Sequence, residues 1–470
     1  MRKVLFTIIV LTTLLRSGFA QSSNGFDIVL DNQLKEAHTV PCGKNGFCLV
    51  TVKKTRKVHQ MTFMHYDTLM KLQTKQTLNI PEEWQFQQTF YEDGTLVIQY
   101  HTYQRRRPTD EGTFLLYRTS QPGGKLDTLT ITGVPADEAT TQWHYYQGNL
   151  MFVTLSKHGD RVWFMPAGAD RPAPFSFSQD SPGRVLFTTV DTLHNTAVIC
   201  FSSAGRTMYF ETDFHGRSSF ANILNEPATH AQWIAVGRDH SVLMLTYNDD
   251  ETFFMHPVNI LNHKVIPSTS IYCADINVPK SLPAGVNNKQ TVIVTPHSNV
   301  CFTPSQICMY GNRIAMATEL YYLEYYNYYN GWYVEPRFNG YRYERADVHF
   351  FDTNGVFLTN IIFPYDESSS LHTKLIKKLK ICPLQNQNLL LYQQSGLELT
   401  TMLIDSAYKV VDPLRSNELP LPKIPMKSQK FAVERFVPWY GRDEFLFTTY
   451  RLNAASMKKI GYMARKVTYR

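Results

Sequence analysis

The stretch GTLVIQY, Gly94 to Tyr100, is a polar turn running into an apolar strand, and its reading decides the fold. Seven other segments repeat it: GFCLVTV from Gly46, GNLMFVT from Gly148, NTAVICF from Asn195, SVLMLTY from Ser241, NRIAMAT from Asn312, NLLLYQQ from Asn388 and EFLFTTY from Glu444. The step between them is about fifty residues, a repeat-architecture period, and it lengthens after Ser241 and after Asn312. A second strand candidate precedes the apolar run, as in WQFQQTFY to Tyr91, TQWHYY to Tyr146, RVLFTTV to Val190 and QWIAV to Val236. A third follows it, as in HQMTFMHYD to Asp67, TFLLYRT from Thr113, RVWFMPA from Arg161, RTMYFETD to Asp213, ADVHFFD to Asp352 and LTTMLID to Asp405. A fourth, less regular strand completes the unit. Antiparallel strands rich in β-branched and aromatic residues, joined by hairpin signals at this period, describe radial four-stranded blades.

With strands lettered A to D from the inside, the final repeat supplies A (Glu434 to Tyr440), B (Glu444 to Tyr450) and C (Ile460 to Val467), and no D follows. The segment FDIVLDNQL, Phe26 to Leu34, stands alone before the first A strand. Pairing it as D of the last blade closes the ring and hides two sheet edges that would invite aggregation. The reading is therefore all-β, one ring of eight blades, with seven as the alternative because the longer steps obscure the phase of the sixth and seventh units. The aromatic-x-x-Asp turn at Phe210-Glu211-Thr212-Asp213, and again around Phe350-Phe351-Asp352, looks like the C-to-D corner of many β-propellers. The chain resembles the β-propeller superfamily, in an exported bacterial type, over essentially residues 21–470. The Trp-Asp dipeptide of the best-known subfamily is absent, and the resemblance assigns no subfamily.

Composition agrees with a folded chain: 43% hydrophobic and 19% charged residues, with 13% aromatics, exclude disorder, and there is no collagen or coiled-coil period. Arg2 and Lys3, the apolar run Val4 to Leu15 and the small-x-small site Gly18-Phe19-Ala20 have the layout of a cleavable export signal over residues 1–20. The run is shorter than the ~20 residues that span a bilayer, so the expectation is a periplasmic or extracellular chain that is not an integral membrane protein. Losing Arg2, Lys3 and Arg16 lowers the formal charge from +7 to +4. The remaining basic clusters (Lys53 to Lys57, Arg105 to Arg107, Lys374 to Lys380) are scattered and read as solvated loops and edges, so no nucleic-acid partner is expected. Among the seven cysteines, Cys42 and Cys48 flank a turn that a hairpin would close, and Cys301 and Cys308 offer a second local pair. Cys200 reads as a small buried hydrophobe, Cys273 and Cys382 stay undecided, and no zinc spacing appears.

Topology sorts the loops, because B-to-C and D-to-A connections share one face of the ring. Both long insertions fall there: 275–303 between blades, and 319–345 between a B and a C strand. The second contains LYYLEYYNYYNGWYVEPRFNGYRYE, with nine Tyr beside Trp332 and Phe338. Rigid amphipathic rings suit recognition surfaces, which makes Tyr325, Tyr326, Tyr328, Tyr329, Trp332 and Tyr333 candidate ligand contacts. The alternative is an extended hairpin whose rings pack on one another and on neighbouring blades. Arg105, Arg106 and Arg107 share the face and would suit an acidic ligand. Trp84, Trp143, Trp233 and Trp439 fall in A strands and read as interblade core. Asp249, Asp250 and Glu251 form a tight turn with no calcium motif around it. No catalytic signature, metal set or cofactor loop is present. The first reading is a noncatalytic module binding a protein or glycan. The second is a carbohydrate-active hydrolase or lyase with paired acids at the channel mouth.

Overall fold

The computed structural model describes residues 19–469 apart from 30–33, 55–57, 103–110, 120–123, 136–137, 176–182, 193–194, 225–229, 237–240, 248–251, 260–263, 266–268, 273–300, 311–312, 330, 353–356, 366–370, 375, 385, 420–428 and 440–442. Its strands form eight antiparallel sheets, six of four strands and two of five, and along the main path all but the last run as meanders in sequence order. In blade 1 the strands are Leu34–Pro41, Phe47–Lys54, Val58–Tyr66 and Leu72–Pro81. In blade 8, A, B and C are Gln429–Pro438, Glu444–Asn453 and Lys459–Tyr469. The N-terminal strand Phe19–Val29 supplies its D position, pairing Phe26 with Ala464 and Val29 with Gly461. One boundary differs from the sequence expectation: Leu34 opens the A strand of blade 1, so the closing strand stops before it.

Continuous apolar packing carries the blades round the ring. Separate buried clusters join blades 1 and 2, 2 and 3, 3 and 4, 6 and 7, 7 and 8, and 8 and 1. The A strand of blade 5 (His230–Val236) touches those of blades 4 and 6, which completes the circle. The chain is an eight-bladed β-propeller. The B strands are covered on both faces, as Thr95–Thr102, buried at every position, shows. That burial is why they read as unbroken apolar runs rather than as alternation.

Recurring local devices hold the blades in register. In the A strands the ladder to B slips between Phe86 and Gln88, Thr141 and His144, Val185 and Phe187, Pro304 and Gln306, and Val433 and Arg435. These β-bulges re-aim side chains sideways. Gln142 Oε1 thereby accepts the Thr188 N–H at 2.6 Å, and Gln306 exchanges two bonds with the Ile381 backbone at 2.9 Å. The expected C-to-D corner is real at Asp67, Asp213 and Asp405. Each Oδ1 accepts the backbone N–H groups of the residues two and four positions later at 2.8 to 2.9 Å. The residue three positions on is left-handed: Met70 at φ 63°, Gly216 at 74° and Tyr408 at 62°. The Asp352 corner runs into 353–356, outside the described residues.

Of the A-strand tryptophans, Trp143 is buried between blades 2 and 3, and Trp439 lies just beyond its strand, donating to Gly46 O of blade 1 at 2.7 Å. Trp84 packs part-buried against the blade 1–2 cluster. Cys200 is fully buried, and desolvation pushes its thiol up, as expected of an inert core residue.

Candidate functional site

Blade 6 carries the feature that sets the insertion-bearing face apart. Its B strand, Arg313–Tyr329, and C strand, Val334–Asp352, pair along their whole length around a turn at Gly331, Trp332 and Tyr333. Strand A, Cys301–Tyr310, accompanies B only as far as Tyr321, and D, Phe357–Pro364, accompanies C only from Arg345. A short strap, Leu371–His372, covers Tyr341 and Arg342. Beyond it, Glu324–Tyr329 and Val334–Gly340 project as a two-stranded arm, roughly 20 Å long at ~3.3 Å per residue.

The aromatics divide by position along this hairpin. At its root Tyr321, Tyr341 and Tyr343 pack on one another and against the blade 6–7 core. Higher up, Tyr325 meets Phe338 edge-on at 5.8 Å, and Phe338 meets Tyr341 at 5.2 Å. At the tip Tyr329 is 67% exposed, Trp332 92%, Tyr333 59% and Val334 58%. Strand alternation separates two faces. Tyr325, Asn327 and Tyr329 sit opposite Phe338, Pro336 and Val334, while Tyr326 and Tyr328 share the other face with Arg337 and Glu335. On that second face the Arg337 guanidinium covers the Tyr328 ring at 3.7 Å. The lower rings are core, and the upper ones form an apolar, outward surface. Glu324, nearly buried, fastens the stem by accepting from Arg342 and Asn339.

A buried polar group lies beneath the arm. Glu319 in strand B has no exposed surface, and its Oε1 accepts the Leu379 N–H of blade 7 at 2.6 Å. Desolvation pushes its carboxyl up to about 7, against the pull of the Leu379 and Lys378 N–H groups and the Lys378 charge. The Lys378 ammonium sits 4.5 Å from the Tyr365 ring centre and 5.2 Å from that of Tyr343. The run Lys374 to Lys380 is thus not the wholly solvated loop its composition suggested, since Lys378 is drawn inside by partners distant in sequence. This is the part of the face that the sequence concealed.

The other candidates are distributed elsewhere. Arg105, Arg106 and Arg107 lie outside the described residues, as do Asp249, Asp250, Glu251 and residues 275–300 of the first insertion. That insertion ends before Cys301, where strand A begins. Cys301 and Cys308 do not form a local pair. They occupy one extended strand seven positions apart, about 23 Å at ~3.3 Å per residue, far beyond the ~7 Å that a disulfide tolerates between Cα atoms. The fellow thiol of Cys308 is instead Cys382 on the neighbouring A strand, whose charge, after desolvation, pushes Cys308 up to about 12.

Cys42 and Cys48 do meet, Sγ to Sγ, at 3.5 Å, across a turn closed by the Cys42 N–H bond to Gly46 O at 2.8 Å. The contact with Cys42, then burial, pushes the Cys48 thiol up, so Cys48 is not poised as a nucleophile. In protein matured under oxidising conditions, peptide mass mapping without reductant is expected to find residues 42 and 48 linked and unreactive to alkylation. Free alkylation of both after unfolding would refute the pairing.

Inner-strand acids are engaged by neighbours. Glu92 meets His144 Nδ1 at 3.1 Å and the Tyr145 N–H at 2.9 Å, and Glu434 accepts from Thr448 at 2.8 Å and Tyr462 at 2.5 Å. Among the described residues no group of three or more His, Cys, Asp or Glu is placed to hold a metal ion, and no helix is long and apolar enough to cross a membrane.

No protein family and no curated protein matches the chain. Solved structures are similar to the chain at very low identity. The Dos1 propeller matches 95% of this chain with 94% of its own, at 7% identity and a TM-score of 0.45. The WD40 domain of SCAP from fission yeast matches 96% with 98%, at 10% identity and a TM-score of 0.42. A prolyl endopeptidase matches 82% at 8% identity and a TM-score of 0.43. The chain spans 50% of that enzyme's length.

Proposed function

We propose that this propeller is an exported, noncatalytic binding module that captures a protein partner on the blade 6 hairpin. The observation that carries the reading is the apolar arm itself. Tyr329, Trp332, Val334 and Phe338 stand 45% to 92% exposed on strands that the rest of the blade does not cover. Soluble surfaces rarely present contiguous apolar area of this kind without using it, and Trp and Tyr dominate the energetics of recognition. The leader-like N-terminus and the Cys42–Cys48 contact support placement in an oxidising compartment outside the cytoplasm.

The test is capture followed by titration. Partners retained by the mature chain are identified from envelope or secreted extracts, and each is then titrated against wild type and a Tyr329→Ser, Trp332→Ser, Val334→Ser variant. The substitutions lie on exposed side chains, so the melting temperature should hold. Affinity should fall at least thirtyfold, since anchor residues each contribute about 2 kcal/mol or more. Equal affinity in the variant would reject the arm as the contact. Variant-sensitive binding on a glycan array with no protein retained would move the ligand from protein to glycan.

A further inference from the structure

A second concavity lies on the same face, separate from the tip. It is a cleft of about 160 Å³ lined by His372, Ile376, Lys377, Lys378 and Lys380, with Tyr392, Gln394, Ser395 and Phe436 from blades 7 and 8. Three elements build it. The strap and the segment after it bring His372 to Lys378 down from the hairpin, strand A of blade 7 (Leu379–Pro383) contributes Lys380, and its B strand (Leu389–Ser395) contributes the next three. Phe436 comes from the A strand of blade 8 and meets Tyr392 edge-on at 5.5 Å.

The lining has a definite chemistry. Three lysines converge and no carboxylate lines the cleft. Lys378 is already beside Glu319 and the Tyr343 and Tyr365 rings. Lys377 and Lys380 are exposed, and among the described residues no carboxylate lies within ion-pair distance of either. Desolvation, and then the like charge of Lys380, lowers the Lys377 ammonium, against the opposing pull of the buried Glu319. The opposite wall is neutral and polar, with Ser395 and with Gln394, whose amide also donates to Gly396 O at 3.2 Å. The floor is the aromatic pair Tyr392 and Phe436. The cleft is smaller than the roughly 300 to 1,000 Å³ of sites for drug-sized ligands, so it takes one ring rather than a chain.

The geometry points to a binding site for a single acidic sugar. Its carboxylate lies between Lys377 and Lys380, its hydroxyls face Gln394, Ser395 and His372, and the apolar face of its ring rests on Tyr392 and Phe436. Charge supplies the attraction, and the neutral wall with the aromatic floor selects a hydroxylated ring over a bare anion.

Calorimetric titration of the full mature chain with glucuronate tests the assignment, with glucose and inorganic phosphate in parallel. Glucuronate should bind at least tenfold tighter than either. A Lys377→Gln, Lys380→Gln variant should lose at least tenfold for glucuronate, while Lys374→Gln, on the same segment outside the cleft, should match wild type. The hairpin-tip variant should also bind glucuronate normally, which keeps this result distinct from the fate of the protein-capture reading. Glucuronate binding no tighter than glucose, or unchanged in the double lysine variant at an unchanged melting temperature, would overturn the site. Phosphate binding as tight as glucuronate would overturn the sugar assignment.

Discussion

Removing Gln21–Val29 is expected to destabilise the whole ring, not only its last blade. The strand pairs with Lys459–Tyr469, and its loss leaves the C strand of blade 8 as an open edge. Several ladder hydrogen bonds go, each worth about 1 kcal/mol net. Also lost are the Ile28 packing on the blade 8–1 cluster and the Asp27 to Arg465 ion pair at 3.1 Å. A total of about 5 kcal/mol is comparable to the entire stability of many domains. Urea unfolding should show a large drop in midpoint, and light scattering should show association through the bared edge. The ladder slips between Gln21 and Gly25, so trimming only residues 21–24 should cost little. Gly25 itself has no room for a side chain: a Cβ there would stand 2.7 Å from Ala464 O and 2.4 Å from Arg465 Cδ. A nine-residue deletion that melts like wild type would mean that the ring is not latched at this seam.

The second large effect concerns two buried groups on blade 6 whose pH responses oppose each other. Glu319 is pushed up to about 7 from an ordinary 4.5, by desolvation first. Between those values the folded protein holds a proton that the unfolded chain has lost. The stability tied to that proton is complete below pH 4.5 and gone once pH has climbed through 7. His349 is lowered to about 4 from 6.5, by desolvation and then by Arg345. Its neutral ring, bonded to Thr318 Oγ1 at 2.9 Å, is favoured in the fold. The stability tied to it is complete above pH 6.5 and lost as pH falls through 4. Each shift corresponds to about 3 kcal/mol, so across pH 4.5 to 6.5 the two slopes nearly cancel. Glu319→Gln should expose the rising limb, with stability gaining about 3 kcal/mol from pH 4.5 to 6.5. His349→Gln should expose the falling one by a similar amount. Urea midpoints measured across this range decide the matter, and variants that both keep the wild-type profile would show that neither group titrates in these windows.

The B and C strands were legible because burial on both faces leaves an unbroken apolar run, and turn residues punctuate it at a regular period. The outer strands carried less signal. Leu72–Pro81 exposes most of its positions, so little hydrophobic demand is written into it. The start of blade 1 was blurred too: among the described side chains of its A strand only Ala37, Thr39 and Val40 are buried. Cys301 and Cys308 resembled a closed turn, yet Pro304 between them sits in an A strand, where an edge position and a bulge tolerate proline. The arm was legible as an aromatic insertion between a B and a C strand. The cleft beneath it was not, because Lys377, Lys380, Gln394 and Phe436 come together only when two blades and a strap converge. A run of lysines reads as solvated until the rings and the carboxylate that draw one of them inward are known.

The arm of blade 6 continues two core strands through register shifts at Leu320/Tyr321 and Glu324/Tyr325, and is rooted by Tyr343, whose hydroxyl donates to Ile376 O at 2.6 Å. On the proposed reading, a partner would meet a probe already carried by paired strands, and little ordering entropy would be lost on docking. Substitutions at the tip should therefore alter residence time far more than encounter rate. Loosening the root should slow productive encounters while every contacting side chain stays in place.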